Sequence, residues 1–309
     1  MKWEKLGIIF KPDNNLVLGK THAAIPTPVQ LNKNIIRIYF NSQDAQGISR
    51  PYFVDVSSNN PFNIIQISKK PLLDIGKPGS FDDNGIMVTS VVKVTEKKWY
   101  MYYVGFELFQ KIRYKLFTGL AISSDGGLNF SKHSITPIID RSPGESHFRA
   151  GPYCIKTDHS FKLWYVAGEE WLDINGKSMP IYEIRFMESS DGINWPKNGS
   201  IVIPIKSQDE HGFGRPYVVQ SKDGLYQMFY SVRRKSFQAY RMGFAESNDC
   251  EKWIRRDQYL NLDTTNNSFD SDAIMYAAPF YINEKLHIFY NGNNFGLDGI
   301  GLAVQKESF

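Results

Sequence analysis

A period of about 60 residues constrains this chain more than any other feature, because self-similarity at a fixed spacing decides architecture before any local motif does. Five apolar, aromatic-rich runs read as strands: IIRIYFNS (35–42), KWYMYYVG (98–105), KLWYVAG (162–168), LYQMFYSV (225–232) and KLHIFYNG (285–292). Their central aromatics, Tyr39, Tyr102, Tyr165, Phe229 and Phe289, follow one another at 63, 63, 64 and 60 residues. A shorter strand-like piece with small residues or proline precedes each run: IPTPVQL (25–31), MVTSVVKV (87–94), AGPYCIK (150–156), GRPYVVQ (214–220) and YAAPFYI (276–282). In four units a third strand ends in a related turn, FVDVSSNNPF (53–62), GLAISSDGGLNF (119–130), IRFMESSDGINW (184–195) and MGFAESNDCEKW (242–253), where Asp or Asn supplies the turn and the aromatic packs back on the sheet. Fourth strands are expected at IIQIS (64–68), SITPIID (134–140), SIVIPI (200–205) and QYLNL (258–262).

Four strands in each repeat is the content of a large propeller blade, so the period predicts an all-β fold, a five-bladed β-propeller of four-stranded antiparallel blades forming one domain over residues 1–309. The fifth unit stops after its third strand, GIGLAVQ (299–305), and the missing piece lies at the other end of the chain. Trp3-Glu4-Lys5 has the phase of Trp195-Pro196-Lys197 and Trp253-Ile254-Arg255, and LGIIF (6–10) follows it. An N-terminal strand that completes the last blade closes the ring and removes an open sheet edge. A two-sheet sandwich would leave the phased units and complementary ends to chance.

Composition narrows the partners. Thirty-six Lys and Arg against 32 Asp and Glu leave a formal charge of +4, without the basic runs that bind a phosphate backbone, so nucleic acid is not an expected partner. No apolar stretch has the roughly 18 residues of a membrane span, and MKWEKLGIIF lacks the long apolar segment of a signal peptide, so no membrane partner and a cytoplasmic location are expected. Cys154 and Cys250 are too few for a disulfide framework or a cysteine metal site and read as reduced structural thiols. No glycine-rich nucleotide loop or metal-ligand spacing is present, so no cofactor is expected, with the histidines His22, His147 and His211 as the one set that could hold a metal. The oligomeric state is left open.

In a four-stranded blade the chain enters the innermost strand from the face that also carries the loop between strands two and three. That places SQDAQGISR (42–50), FELFQKIRYKLFT (106–118), EEWLDINGKSMPIYE (169–183), RRKSFQAYR (233–241) and NNFGLD (293–298) on one face. Trp171, Phe106, Phe109, Tyr240 and Phe295 are candidates to stack on a sugar ring, and Arg113, Arg233, Arg234 and Arg241 to grip carboxylate or phosphate. For any one of these residues, covering a neighbouring loop or solvating it is the better account.

The starts of the inner strands converge on one channel. FDDNGIMVTSVV (81–92) and FDSDAIMYAAPF (269–280) match Asp82 to Asp270, with Asp83, Asp272 and Tyr276 beside them. GESHFRAGPY (144–153) and DEHGFGRPY (209–217) match Glu145 to Glu210, His147 to His211 and Arg149 to Arg215. The first unit offers only THAAIP (21–26), hence His22. A ring of carboxylates, imidazoles and guanidiniums is costly to assemble, since like charges at close range perturb one another, and such clusters gather at functional sites.

Blade size, the S-x-D-G-x-x-W turn from Ser189 to Trp195, and the G-R-P-Y segment at 214–217 make the whole chain resemble the five-bladed superfamily of arabinanases, levansucrases and invertases, including glycoside hydrolase family 43 and the mannoside phosphorylases. The resemblance implies a small or activated saccharide as substrate, cleaved by paired carboxylates, one the general acid and another the base or nucleophile. Carried over by position, it implies Glu210 as the acid and Glu145 as its tuning neighbour, while Asp82, Asp83 or Asp270 would have to supply the base; the inner-strand starts and the loops of that face put Asp83, His22, His147, Arg149, His211, Arg215, Asp272, Tyr276, Trp171 and Arg233 around the substrate. The chain departs from the pattern at the first unit, where His22-Ala23-Ala24-Ile25-Pro26 stands in place of the family's Asp. A binding propeller without chemistry and a sialidase-like enzyme, whose turns SSDGGLNF (123–130) also fits, are the alternatives.

Overall fold

The aromatic runs pair as the alternation of their side chains requires, one face to each layer of a sheet. A computed structural model describes residues 1–13, 15–237 and 239–306. Its strands are β1 (Trp3–Phe10), β2 (Thr21–Asn32), β3 (Ile35–Gln43), β4 (Ser49–Ser57), β5 (Ile64–Ile67), β6 (Ile86–Lys93), β7 (Trp99–Leu108), β8 (Tyr114–Ser123), β9 (Ser131–Lys132) and β10 (Phe148–Lys156). They continue as β11 (Phe161–Ile174), β12 (Lys177–Ser189), β13 (Ser200–Ile203), β14 (Glu210–Gln220), β15 (Tyr226–Arg234), β16 (Tyr240–Ser247), β17 (Ile254–Arg255), β18 (Met275–Ile282), β19 (Lys285–Asn291) and β20 (Ile300–Gln305). Two single-turn helices, α1 (Asp257–Leu260) and α2 (Asn293–Gly296), are the exceptions to an all-β fold among the described residues.

Two compact units divide the chain: unit 1 comprises Met1–Pro71, Tyr217–Val232 and Ala239–Phe309, and unit 2 comprises Leu72–Pro216 and Arg233–Gln238. In unit 1, β2 to β5 form one antiparallel meander, and β18 to β20 form another. The N-terminal strand β1 adds to the latter, pairing Trp3 with Gln305 and Phe10 with Ile300, so the chain's first strand supplies the outer edge that its last repeat lacks. In unit 2, β6 to β9 and β10 to β13 repeat the meander, and Phe148 and Arg149 of β10 make a short parallel bridge to Leu116 and Phe117 of β8. β14 begins in unit 2, beside Tyr182 of β12, and β15, β16 and β17 succeed it in the same order of pairing.

Two expected fourth strands are not formed. At 134–140 only Ile139 bridges back, to Thr118, because Pro137 has no N–H for a ladder and the pairing has already been made by β9. At 258–262 a helical turn replaces the strand: Asp257 accepts hydrogen bonds from the Phe244 backbone N–H (2.9 Å) and the Tyr230 hydroxyl (2.6 Å), which takes the donor that a fourth strand would have paired.

The Ser-x-Asp turns are self-contained. Asp191 Oδ1 accepts the backbone N–H groups of Ile193 and Asn194, both at 2.8 Å, and Asp125 does the same for Leu128 and Asn129. The Asn129 side-chain amide, donating at 2.8 Å, and then these backbone bonds hold the Asp125 carboxyl down to about 2. The turns are therefore structural corners. Tyr102, Leu120, Leu163 and Tyr165 lie in the core of unit 2, and Phe229, Ile288 and Tyr290 in that of unit 1.

Inner strands carry bulges. Register shifts interrupt β2, β6, β10 and β18, and the displaced residues Ile25, Gly151 and Tyr276 have φ of 56°, 59° and 56°. Gly151 takes this left-handed conformation without strain, whereas Ile25, branched at Cβ, does not. Asn291 Oδ1 holds Ile25 in place by accepting its N–H at 2.7 Å, and Ser231 Oγ accepts the N–H of Tyr276 at 2.9 Å.

Candidate functional site

Three of the four carboxylates expected to act on substrate are committed inside the sheets. Asp82 is 2% exposed; its Oδ2 pairs with Lys132 Nζ at 2.7 Å and accepts the Tyr103 hydroxyl at 3.2 Å, while Oδ1 accepts Ser80 Oγ at 3.1 Å. Asp270, fully buried in unit 1, repeats the arrangement with Lys5 at 2.5 Å and Tyr290 at 3.2 Å. The ring of Phe81 stacks on Tyr103 and that of Phe269 on Tyr290, so the Phe-Asp dipeptide packs and pairs as one piece. Opposite these tyrosines stand Gly119 and Gly301, where a Cβ would lie 2.3 Å and 2.9 Å from the tyrosine ring. Burial and the adjacent carboxylate both push the two phenols up, so they stay protonated and donate.

Glu145 is fully buried too. It meets Arg149 Nε at 2.7 Å, Arg185 at 3.1 Å, the Tyr165 hydroxyl at 2.7 Å and Asn198 Nδ2 at 3.1 Å. A carboxylate with that many partners is a satisfied buried ion, and breaking such a set is expensive. Sequence analysis placed Asp82, Asp270 and Glu145 in a shared reaction centre; within unit 2 Asp82 and Glu145, and within unit 1 Asp270, are each held by a tyrosine and a cation. Arg149 and Arg215, expected around the substrate, are also hydrogen-bonded within unit 2. Arg149 donates to the Asp140 carbonyl at 2.7 Å as well as pairing with Glu145, and Arg215 donates to the Thr89 carbonyl from Nε (3.2 Å) and NH2 (3.0 Å).

Glu210 differs. It is 7% exposed at the start of β14, and its partners include Arg234 at 3.9 Å and the Lys206 backbone N–H at 3.3 Å. Next to it, His211 Nδ1 lies 3.3 Å from the Pro180 carbonyl. A carbonyl only accepts, so Nδ1 carries the proton. Burial, then Arg233 and Lys235, hold its pKa below 6.5, against the Pro180 carbonyl and Asp209.

His147 lies on the same unit. Trp171 Nε1 is 3.2 Å from its Nδ1, and an indole N–H only donates, so here Nδ1 accepts. Burial and Lys115 lower the pKa of His147, opposed by Glu169. Around it the rings of Tyr114, Phe148, Trp171 and Tyr182 interlock, with Tyr114 to Trp171 at 5.5 Å, Phe148 to Trp171 at 5.2 Å and Phe148 to Tyr182 at 5.4 Å. Arg233 stacks over Tyr182 at 5.6 Å. Unit 2 thus gathers Glu210, His211, His147, Trp171 and Arg233 of the expected residues. Asp83, also in unit 2, accepts the Gly79 N–H at 2.7 Å and the Asn84 side-chain amide at 2.5 Å.

The remaining expected residues lie in unit 1. His22 is half-buried at φ 66° with its pKa lowered by burial, Tyr276 packs on Tyr240 at 5.6 Å, and Asp272 is exposed, its backbone carbonyl bound by Arg241 at 2.8 Å. Missed by sequence reasoning were the anchoring tyrosines, their cations Lys5, Lys132 and Arg185, and the Pro180 carbonyl. A Gly-x-Ala signature, Gly119 to Ala121, Gly243 to Ala245 and Gly301 to Ala303, would have located the tyrosines, since each glycine leaves room for a facing ring. Among the described residues no group of three His, Cys, Asp or Glu could hold a metal ion, and no helix is long and apolar enough to cross a membrane. A depression of about 390 Å³ lined by Lys222, Tyr281, Glu284 and Lys285 contains none of the expected residues.

Among solved structures the fold is shared with a glycoside hydrolase at 17% identity, TM-score 0.76, covering 98% of this chain and 92% of that one. The β-1,2-mannobiose phosphorylase from Listeria innocua is similar at 12% identity and TM-score 0.71 over 99% and 97%, and a thermostable family-43 glycoside hydrolase at 19% and 0.65 over 96% and 92%. The fold is that of the propeller glycoside hydrolases, as the sequence resemblance implied. No protein-family model matches. Within that fold the chain belongs to the family of the uncharacterized protein Rv1502 of Mycobacterium tuberculosis, with which it shares 31% identity over 304 residues, 98% of this chain and 99% of the relative.

Proposed function

We propose that the chain is a five-bladed propeller, a single domain, that cleaves or transfers a glycosidic bond of a small saccharide, with Glu210 as the proton donor. One observation carries this reading: Glu210 opens β14 next in sequence to His211 and with Arg234 at 3.9 Å, in the unit that also holds Arg233 over Tyr182 and the interlocked rings around Trp171. Aromatic faces for sugar rings beside a carboxylic acid are the parts that glycoside chemistry needs. The shared fold of glycoside hydrolases and a mannobiose phosphorylase supports the class. Two free, buried cysteines fit a reducing compartment, and we place the protein in the cytoplasm.

The test is a panel of aryl glycosides and oligosaccharides, with and without inorganic phosphate, assayed on the wild type and Glu210→Gln. Turnover that the substitution abolishes supports the reading; turnover that survives undiminished removes Glu210 as the acid. A second reading, saccharide binding without turnover, is favoured by the clamping of Asp82, Glu145 and Asp270, which leaves no carboxylate base among them. Calorimetric binding of panel members that are never consumed would establish it.

A further inference from the structure

The depression of about 390 Å³ in unit 1 is built by the turn ends of two hairpins, β14–β15 and β18–β19, and by the end of β20. One row of side chains crosses three strands there. Tyr281 of β18 stands directly opposite Leu286 of β19, and Gln305 ends β20 one residue beyond Val304, the partner of His287. Residues opposed across antiparallel strands share a face, so Tyr281, Leu286 and Gln305 point the same way. Leu286 is buried with Phe229 and Ile288 and supplies the apolar part of the lining.

The polar groups beside it are unused. The Tyr281 hydroxyl and the side-chain amides of Gln227 and Gln305, all partly buried, make no hydrogen bond among the described residues. Burial raises the Tyr281 phenol, so it stays protonated and able to donate. A concavity of roughly 300–1,000 Å³ on which a few polar groups converge is the usual form of a small-molecule site.

Charge narrows the ligand. Lys222, Lys285 and Lys306 line the depression against Glu284 alone. Lys222 pairs with Glu284 at 3.1 Å and Lys306 with Glu4 at 3.4 Å, exposed pairs that exchange readily for a ligand, while Lys285 has no ion pair among the described residues. Glu284 is left-handed at φ 65° after Asn283 at φ 47°, in the hairpin-turn position that glycine usually takes. That strained residue ties the two turns together at the rim.

We infer that this depression binds a small anionic sugar, its phosphate or carboxylate held by Lys285 with Lys222 and Lys306, and its hydroxyls by Tyr281, Gln227 and Gln305. Ammonium groups give charge-assisted bonds to oxyanions, and amides and phenols donate and accept as sugar hydroxyls do. The site is separate from the strand starts, because Tyr276 and Asn291 lie toward the opposite ends of β18 and β19. It does not depend on the glycoside reading.

Glucose 6-phosphate, glucuronate and glucose, titrated calorimetrically into the full chain, test it, the two acids separating phosphate from carboxylate. The acid that binds should lose affinity between about 0.01 M and about 0.15 M salt. Lys285→Gln should weaken it about 10-fold and Tyr281→Phe about 2–10-fold, with the thermal midpoint kept and Glu210→Gln without effect. Binding of neither acid, binding that Lys285→Gln and Tyr281→Phe leave unchanged, or binding that Glu210→Gln abolishes overturns the inference. None of these outcomes bears on whether a glycoside is turned over elsewhere.

Discussion

Asp270 and Glu210 look alike in the sequence, each an acidic residue shortly before or at the start of an inner strand, yet the structure treats them oppositely. Asp270 has a lysine at 2.5 Å, a tyrosine hydroxyl at 3.2 Å and no exposure. Glu210 has an arginine at 3.9 Å and the Lys206 backbone N–H at 3.3 Å. The difference teaches that a recurring acidic position is not a recurring function. Asp82 and Asp270 recur because each closes a tyrosine–glycine gap in its own sheet. In unit 1 the tyrosine at the same strand position, Tyr230, instead donates to Asp257 at 2.6 Å.

Substitutions can break this contrast. The largest effect is expected from Glu210→Gln, which should lower turnover by about 10²–10⁴-fold without shifting the urea midpoint. Glu145→Ala should do the reverse: leaving Arg149 buried without its partner costs about 3–5 kcal/mol in a denaturant titration, and the folded fraction keeps its rate. Tyr290→Phe removes one hydrogen bond to a buried carboxylate and should cost about 1.5–3 kcal/mol by the same titration.

Two smaller effects sharpen it. Trp171→Phe keeps the aromatic packing but removes the donor that fixes His147, so saccharide affinity measured by calorimetry should weaken by about 0.5–1.5 kcal/mol with stability nearly unchanged. The last concerns pH. His211 has a folded pKa below its unfolded 6.5, so above that value neither state is charged and the full stability is present. As pH falls below 6.5 the unfolded chain takes the proton first, and stability declines toward the folded pKa. His211→Asn should flatten that decline in unfolding curves measured on either side of about pH 6.5.

Much of the architecture was legible. The spacing of Tyr39, Tyr102, Tyr165, Phe229 and Phe289 located the meanders, and the incomplete last repeat pointed to β1 as its partner. Pairing hidden from the sequence was of another kind. Nothing around Asp82 names Lys132, 50 residues on, as its counterion, and nothing around His211 names the carbonyl of Pro180. The short fourth strands at 134–140 and 258–262 were overread because a proline and an aspartate side chain removed the backbone donors that apolar pattern alone assumes.

By itself the sequence determined the repeat, the all-β class and the set of titratable residues near the inner strands, since period and alternation are properties of neighbouring residues. Which of those residues are clamped and which are presented was decided only by tertiary structure. A carboxylate becomes an anchor or a reagent according to the cation and hydroxyl that reach it from other strands, and such distances are not encoded at any fixed spacing along the chain.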